Sequence, residues 1–122
     1  MRLADVQIIH REGAVIARVT GEIDMSNSND LRTAILEATP NEALGVILDL
    51  SFVDYIDSAG IHLLYRLGDH LRTRGQTLRV VIPPESSASD ALRLAGVKRH
   101  VDVVSELDEG LRGLAAHASD EA

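Results

Sequence analysis

Residues 45–60 read Gly45-Val46-Ile47-Leu48-Asp49-Leu50-Ser51-Phe52-Val53-Asp54-Tyr55-Ile56-Asp57-Ser58-Ala59-Gly60. The first six form a short, almost continuous apolar run, the pattern of a central strand covered on both faces. Ser51 to Asp57 reads as a polar loop. From Gly60 onward the period changes. Gly60, Leu64, Leu67 and Leu71 make one helical stripe, His62, Arg66, Asp69, His70 and Thr73 lie opposite, and Gly75 is placed to end the helix. A buried strand that feeds a helix is the unit of a parallel sheet.

The flanks extend this pattern. Upstream, Val6 to His10 and Ala14 to Thr20 are β-branched runs separated by Arg11-Glu12-Gly13, a hairpin signal, and Gly21 is expected to end the second strand. Ser26-Asn27-Ser28-Asn29-Asp30 can cap a helix whose apolar face is Leu31, Ala34, Ile35 and Ala38, stopped by Thr39-Pro40-Asn41. Leu36 sits off that stripe and offers a possible widening of a docking surface. Downstream, Leu78 to Ile82 is a strand closed by Pro83-Pro84, Ser86 to Ala95 a helix ending at Gly96, and Val101 to Val104 a short strand. Ser105-Glu106-Leu107-Asp108 resembles a capping box for a last helix with Leu107, Leu111, Leu114 and Ala115 on one face. The order is ββαβαβαβα. Strict alternation after the hairpin demands right-handed crossovers and a mostly parallel sheet, so the fold class is α/β.

The chain has 122 residues and no cysteine. That length suits one domain with one core, and the lack of cysteine excludes a disulfide framework, a thiolate metal site and a Cys nucleophile. Phe52, Tyr55 and Tyr65 are the only aromatics, which argues against a single-stranded nucleic-acid surface built on stacking. The net charge is −7 and the basic residues are scattered, so duplex nucleic acid is not an expected partner. Much of the acidity lies beyond Asp102, and residues 117–122 read as a disordered acidic tail following a domain over 1–116. No stretch approaches a membrane span and Met1 to His10 lacks an apolar secretory region, which makes the cytoplasm the default location.

Ligands gather where parallel strands hand over to helices. Two such places are unusually polar, Gly21 to Asp30 and Asp54 to Gly60. In the second, Asp57 or Ser58 would cap the helix. An exposed serine at a helix start suits a phosphoacceptor, because outward N–H groups and the dipole favour an anion there by ~0.3–1 kcal/mol. The fold would tolerate a phosphate at that position, whereas a partner docked over the enlarged acidic patch need not.

Two motifs resemble those of the STAS domain family, the bacterial anti-sigma factor antagonists (anti-anti-sigma factors). Asp49 to Ile61 is similar to the family signature, and Gly21-Glu22-Ile23-Asp24 to its second motif. The resemblance runs in order and spacing from about Val6 to Leu114. It implies a STAS fold with a mixed, mostly parallel sheet of four to five strands and about four helices. It also implies a phosphoprotein that is not an enzyme and uses no cofactor or metal. The implied partners are an anti-sigma factor with GHKL-type serine kinase activity and a PPM-type phosphatase. Binding by the unphosphorylated antagonist frees a sigma factor, and Ser58 is the implied phosphorylation site. Glu22, Asp24, Ser26, Asn27, Ser28, Asp57, Ser58, Ala59, Gly60, Ile61 and His62 would form the partner surface. Ala59 stands where many members carry a second hydroxyl, and His62 where Gly is frequent.

Other chemistries fit less well. Ser58 and His62 are i, i+4 on one helix face, but no Gly-x-Ser-x-Gly turn is present for a hydrolase. Asp49 ends a strand as in a response-regulator receiver, yet the acidic pair and the lysine of such a site are missing. Asp24, Asp49, Asp54 and Asp57 have no spacing that specifies a metal. The alternative within the family is a scaffold or regulatory module of a stress-sensing assembly or transporter, without a kinase cycle.

Overall fold

In the computed structural model, which describes residues 4–121 and side chains over 4–114, strands and helices alternate as expected. The elements are β1 (Asp5–Arg11), β2 (Ala14–Ile23), α1 (Ser28–Glu37), β3 (Gly45–Ile56), α2 (Ser58–Thr73), β4 (Thr77–Val81), α3 (Ser89–Leu94), a 3-10 turn (Val97–Arg99), β5 (Asp102–Val104) and α4 (Leu107–Glu121). Where a disordered acidic tail is expected over 117–122, the backbone continues α4 as far as Glu121, and Ala122 lies outside the described residues.

The sheet has five strands in the order β1-β2-β3-β4-β5. β1 pairs antiparallel with β2, and β2, β3, β4 and β5 pair in parallel. Because the parallel strands follow one another across the sheet, crossovers of one hand put their helices on one face. Leu31 and Ile35 of α1, Leu63, Leu64, Leu67 and Leu71 of α2 and Leu92 of α3 bury there against Val15, Val19, Val46, Leu48 and Val80. The opposite face is left to α4, whose Leu111 and Leu114 cover Ala14, Ile16, Ile47, Val81 and Val104. Beyond α4 this second face turns polar. The Arg18 Nε donates to Asp49 Oδ2 at 3.1 Å, and the guanidinium lies 5.8 Å from the centre of the exposed Phe52 ring. Asp49 is thus committed to an ion pair and to Ser51, whose N–H and hydroxyl both reach its Oδ1.

Several boundaries differ from the sequence reading, each for a local reason. β3 does not stop at Leu50. It continues through the expected loop to Ile56, and β2 continues through Gly21 to Ile23, so that Gly21 pairs with Val53 and Ile23 with Ile56. The pairing slips between Arg18 and Thr20 and again between Gly21 and Glu22, each time with one extra residue in β3. Gly21 sits at the second slip with φ +99°, a backbone conformation that favours glycine. Leu36 is half-buried and packs against the core, so it does not widen a surface patch. The third helix is a shorter Ser89–Leu94, and the capping contact at α4 comes from Glu109, whose Oε1 accepts from the Ser105 N–H at 3.2 Å, in place of Asp108.

Candidate functional site

The continuation of β2 and β3 brings the two polar junctions together. Both strands end at the carboxyl edge of the sheet as parallel neighbours, and the Asp57 N–H donates to the Ile23 carbonyl at 3.2 Å. The start of α2 is therefore anchored directly to the end of β2.

Asp57 is the N-cap of α2, and its Oδ1 accepts from the Gly60 N–H at 3.1 Å. This satisfies one of the four donors that a helix start leaves unpaired. Ser58 is the first residue of the helix and is exposed, while Ala59 is half-buried. Gly60 is buried because the helix lands on the ends of both strands. A Cβ there would overlap Ile56 Cγ1 and lie 3.0 Å from Ile23 Cγ2. Ile61 packs partly against the core, and His62 is exposed with its ring 6.5 Å from that of Tyr65, edge to face.

The β2–α1 turn forms the other half of the site. Glu22 is half-buried and Asp24 partly exposed, while Met25 projects with 81% of its surface free. Asp24 Oδ1 accepts from the Ser26 N–H at 2.9 Å and from the Ser26 hydroxyl. The Ser26 hydroxyl, then the Ser26 N–H and the Asn27 backbone, hold the Asp24 carboxyl below its ordinary value of 3.8. It is therefore ionised throughout the physiological range. The contribution of these bonds to stability is present above the unfolded value and is lost as pH falls through the lower folded one.

Asn27 and Ser28 were expected on the presented surface, but both are buried. Asn27 occupies the N-cap position of α1 without making a capping bond. Instead its Oδ1 accepts from the Asp24 N–H at 3.1 Å and its Nδ2 donates to the Glu22 carbonyl at 2.8 Å. It fixes the shape of the turn that carries Asp24. Asn27→Ala should cost about 1–3 kcal/mol, because two part-buried backbone groups lose their partners. Thermal denaturation should register this loss, and faster amide exchange at Asp24 should accompany it. Unchanged exchange would mean that the turn is held by other contacts.

Between α1 and α2 runs a groove of about 340 Å³ that the sequence reading missed. Ser58 and His62 lie on its α2 side with Arg66, and Arg32 and Met25 lie on its α1 side. Arg66 was legible as the next i, i+4 step after Ser58 and His62. Nothing in the sequence signalled Arg32, since its approach depends on how α1 packs beside α2. Among the described residues no group of three or more His, Asp or Glu is gathered as a metal site. No helix among them is long and apolar enough to cross a membrane.

Comparison with known proteins agrees with this architecture. The chain is 24% identical over 110 residues to the anti-sigma-F factor antagonist RsfB of Mycobacterium tuberculosis, covering 89% of this chain and 88% of that protein. Its fold is similar to that of an anti-sigma factor antagonist from Mycobacterium paratuberculosis, with a TM-score of 0.81 at 23% identity over 93% of this chain and 95% of that one. It is also similar to the Bacillus cell fate determinant SpoIIAA in its phosphorylated form, with a TM-score of 0.61 at 18% identity over 88% and 98% of the two chains. The family model described as the STAS domain matches residues 5–110. With nearly all of its strands and helices inside that match, the chain belongs to the STAS domain family.

Proposed function

We propose that this protein is an anti-sigma factor antagonist switched by phosphorylation of Ser58. Unphosphorylated, it binds an anti-sigma factor that is also a GHKL-type serine kinase, and so frees a sigma factor. The kinase inactivates it by phosphorylating Ser58, and a PPM-type phosphatase restores it. In this reading it is a binding protein of the bacterial cytoplasm and not an enzyme.

The observation that carries the reading is the position of Ser58. It is an exposed hydroxyl on the first residue of α2, beside the turn that holds an ionised Asp24. An enzyme can reach it, and a phosphate there is compatible with the helix dipole. Glu22, Asp24, Ser26 and the exposed edge of Asp57 to His62 would face the partner, with Asn27, Ser28 and Gly60 acting as the frame beneath. The similarity to proteins named as anti-sigma factor antagonists supports the same reading.

The test is a pull-down of the partner from the source cells, followed by incubation with ATP. Mass spectrometry should find one phosphate on Ser58, and none on Ser58→Ala, which should fold normally and hold the partner constitutively. Phosphate on another residue of that variant would refute the assignment. Asp24→Asn should weaken partner binding roughly tenfold, about 1.4 kcal/mol, while leaving the fold intact. A variant that instead unfolds would make Asp24 a structural residue of the turn.

A further inference from the structure

Ser58 shares its groove with two arginines, Arg32 and Arg66, in a protein of net charge −7. Arg18, Arg72, Arg79 and Arg93 each have a carboxylate partner. Arg32 and Arg66 have none among the described residues. On α2, Ser58, His62 and Arg66 follow one another at four-residue steps, so their side chains line one side of the helix at intervals of about 6 Å. Arg32 meets them from α1 across the groove. Paired guanidinium groups that face a helix start suit a doubly charged oxyanion, because each presents a fork of N–H donors.

We propose that this groove is the seat of the phosphoryl group carried by phosphorylated Ser58. The inference rests on Ser58 being the phosphoacceptor and adds where its phosphate goes. Arg32 and Arg66 clamp the phosphate oxygens, and His62 supplies a further N–H donor. The carboxylates of the flanking segments, Asp24, Asp30 and Asp57, oppose this. Of these, Asp24 and Asp57 are turned into their own turns by Ser26 and Gly60. Phosphorylation would then do more than add charge to an acidic patch. It would also neutralise the two arginines of the groove and draw α1 and α2 together across it. An aspartate at position 58 is shorter and carries less charge, so it would reproduce the repulsion but not the clamp.

The experiment installs phosphoserine at position 58 of the full chain during translation, so that no kinase is needed. Phosphorus NMR then follows the second ionisation of the phosphate with pH. In a short peptide it lies near about 6, and in the groove it should fall by about 1 pH unit, because adjacent cations favour the dianion. Arg32→Gln combined with Arg66→Gln should remove most of that depression, leaving only what the helix start supplies, and Arg66→Lys alone should keep more of it. Arg66 is exposed and Arg32 half-exposed, so circular dichroism should show all variants folded. A midpoint equal to that of the peptide, or one that the double substitution leaves in place, would overturn the seat. The phosphoacceptor reading fails by a different result. If the wild-type chain stays unmodified with ATP and the recovered kinase, that reading falls, while the titration of installed phosphoserine is unaffected.

Discussion

Ser58→Asp is expected to weaken binding to the anti-sigma partner by roughly 30–1000-fold, corresponding to about 2–4 kcal/mol. The new carboxylate joins Asp24, which its own turn keeps ionised, and Asp57 at the cap. A partner surface that closes over these groups must bury an added negative charge, and like charges brought together at an interface cost several kcal/mol. The fold should hardly notice the same change. A carboxylate on the first residue of a helix gains up to about 1 kcal/mol from the helix dipole. The melting temperature should therefore stay within about 4 °C of the wild type. Isothermal calorimetry and a thermal melt together separate the two effects. An unchanged affinity would remove the electrostatic basis of the switch. A large loss of stability would mean that the serine hydroxyl is structural.

The second large effect is expected at a residue that touches no partner in this reading. Gly60→Ala should destabilise the fold by about 1–3 kcal/mol, in spite of the ~1 kcal/mol that alanine gains over glycine within a helix. The added methyl meets Ile56 and Ile23, both buried at the ends of β3 and β2. Both isoleucines are packed in the core, so the methyl is accommodated only by repacking them or by lifting the start of α2 from the sheet. Two further bonds depend on that seating, from the Gly60 N–H to Asp57 and from the Asp57 N–H to Ile23. The displacement should carry Ser58 with it, and partner affinity should fall along with the urea midpoint. If stability and affinity were both unchanged, α2 would not be seated as described.

The architecture was legible because the hairpin and the alternating strands and helices each carry their own period. The functional edge was harder to read. Leu50, Val53 and Ile56 are the buried positions along the end of β3, and they recur every third residue. Two slips in the pairing with β2 produce this spacing, and a reading based on strict alternation sees only a polar loop. The consequence is functional. The extended strands, unlike a loop, fix the Gly21–Asp24 and Asp57–Gly60 segments side by side. The Asp-Ser motif itself was readable because cap chemistry is local: Asp57 and Gly60 need only three residues of sequence to find each other. Asn27 was misread for the complementary reason. Its residue type suggests a cap, but the chain folds back so that it bonds to Glu22 and Asp24 behind it. Arg32 and its groove depend on the packing of two helices, which no local pattern encodes.

The most direct test of the central claim compares two forms of the same chain against the isolated anti-sigma kinase. One is unmodified and the other carries stoichiometric phosphate on Ser58. Calorimetric titration should give tight binding for the first and at least about a hundredfold weaker binding for the second, a difference of about 2.7 kcal/mol. Equal affinities for the two forms would contradict the switch.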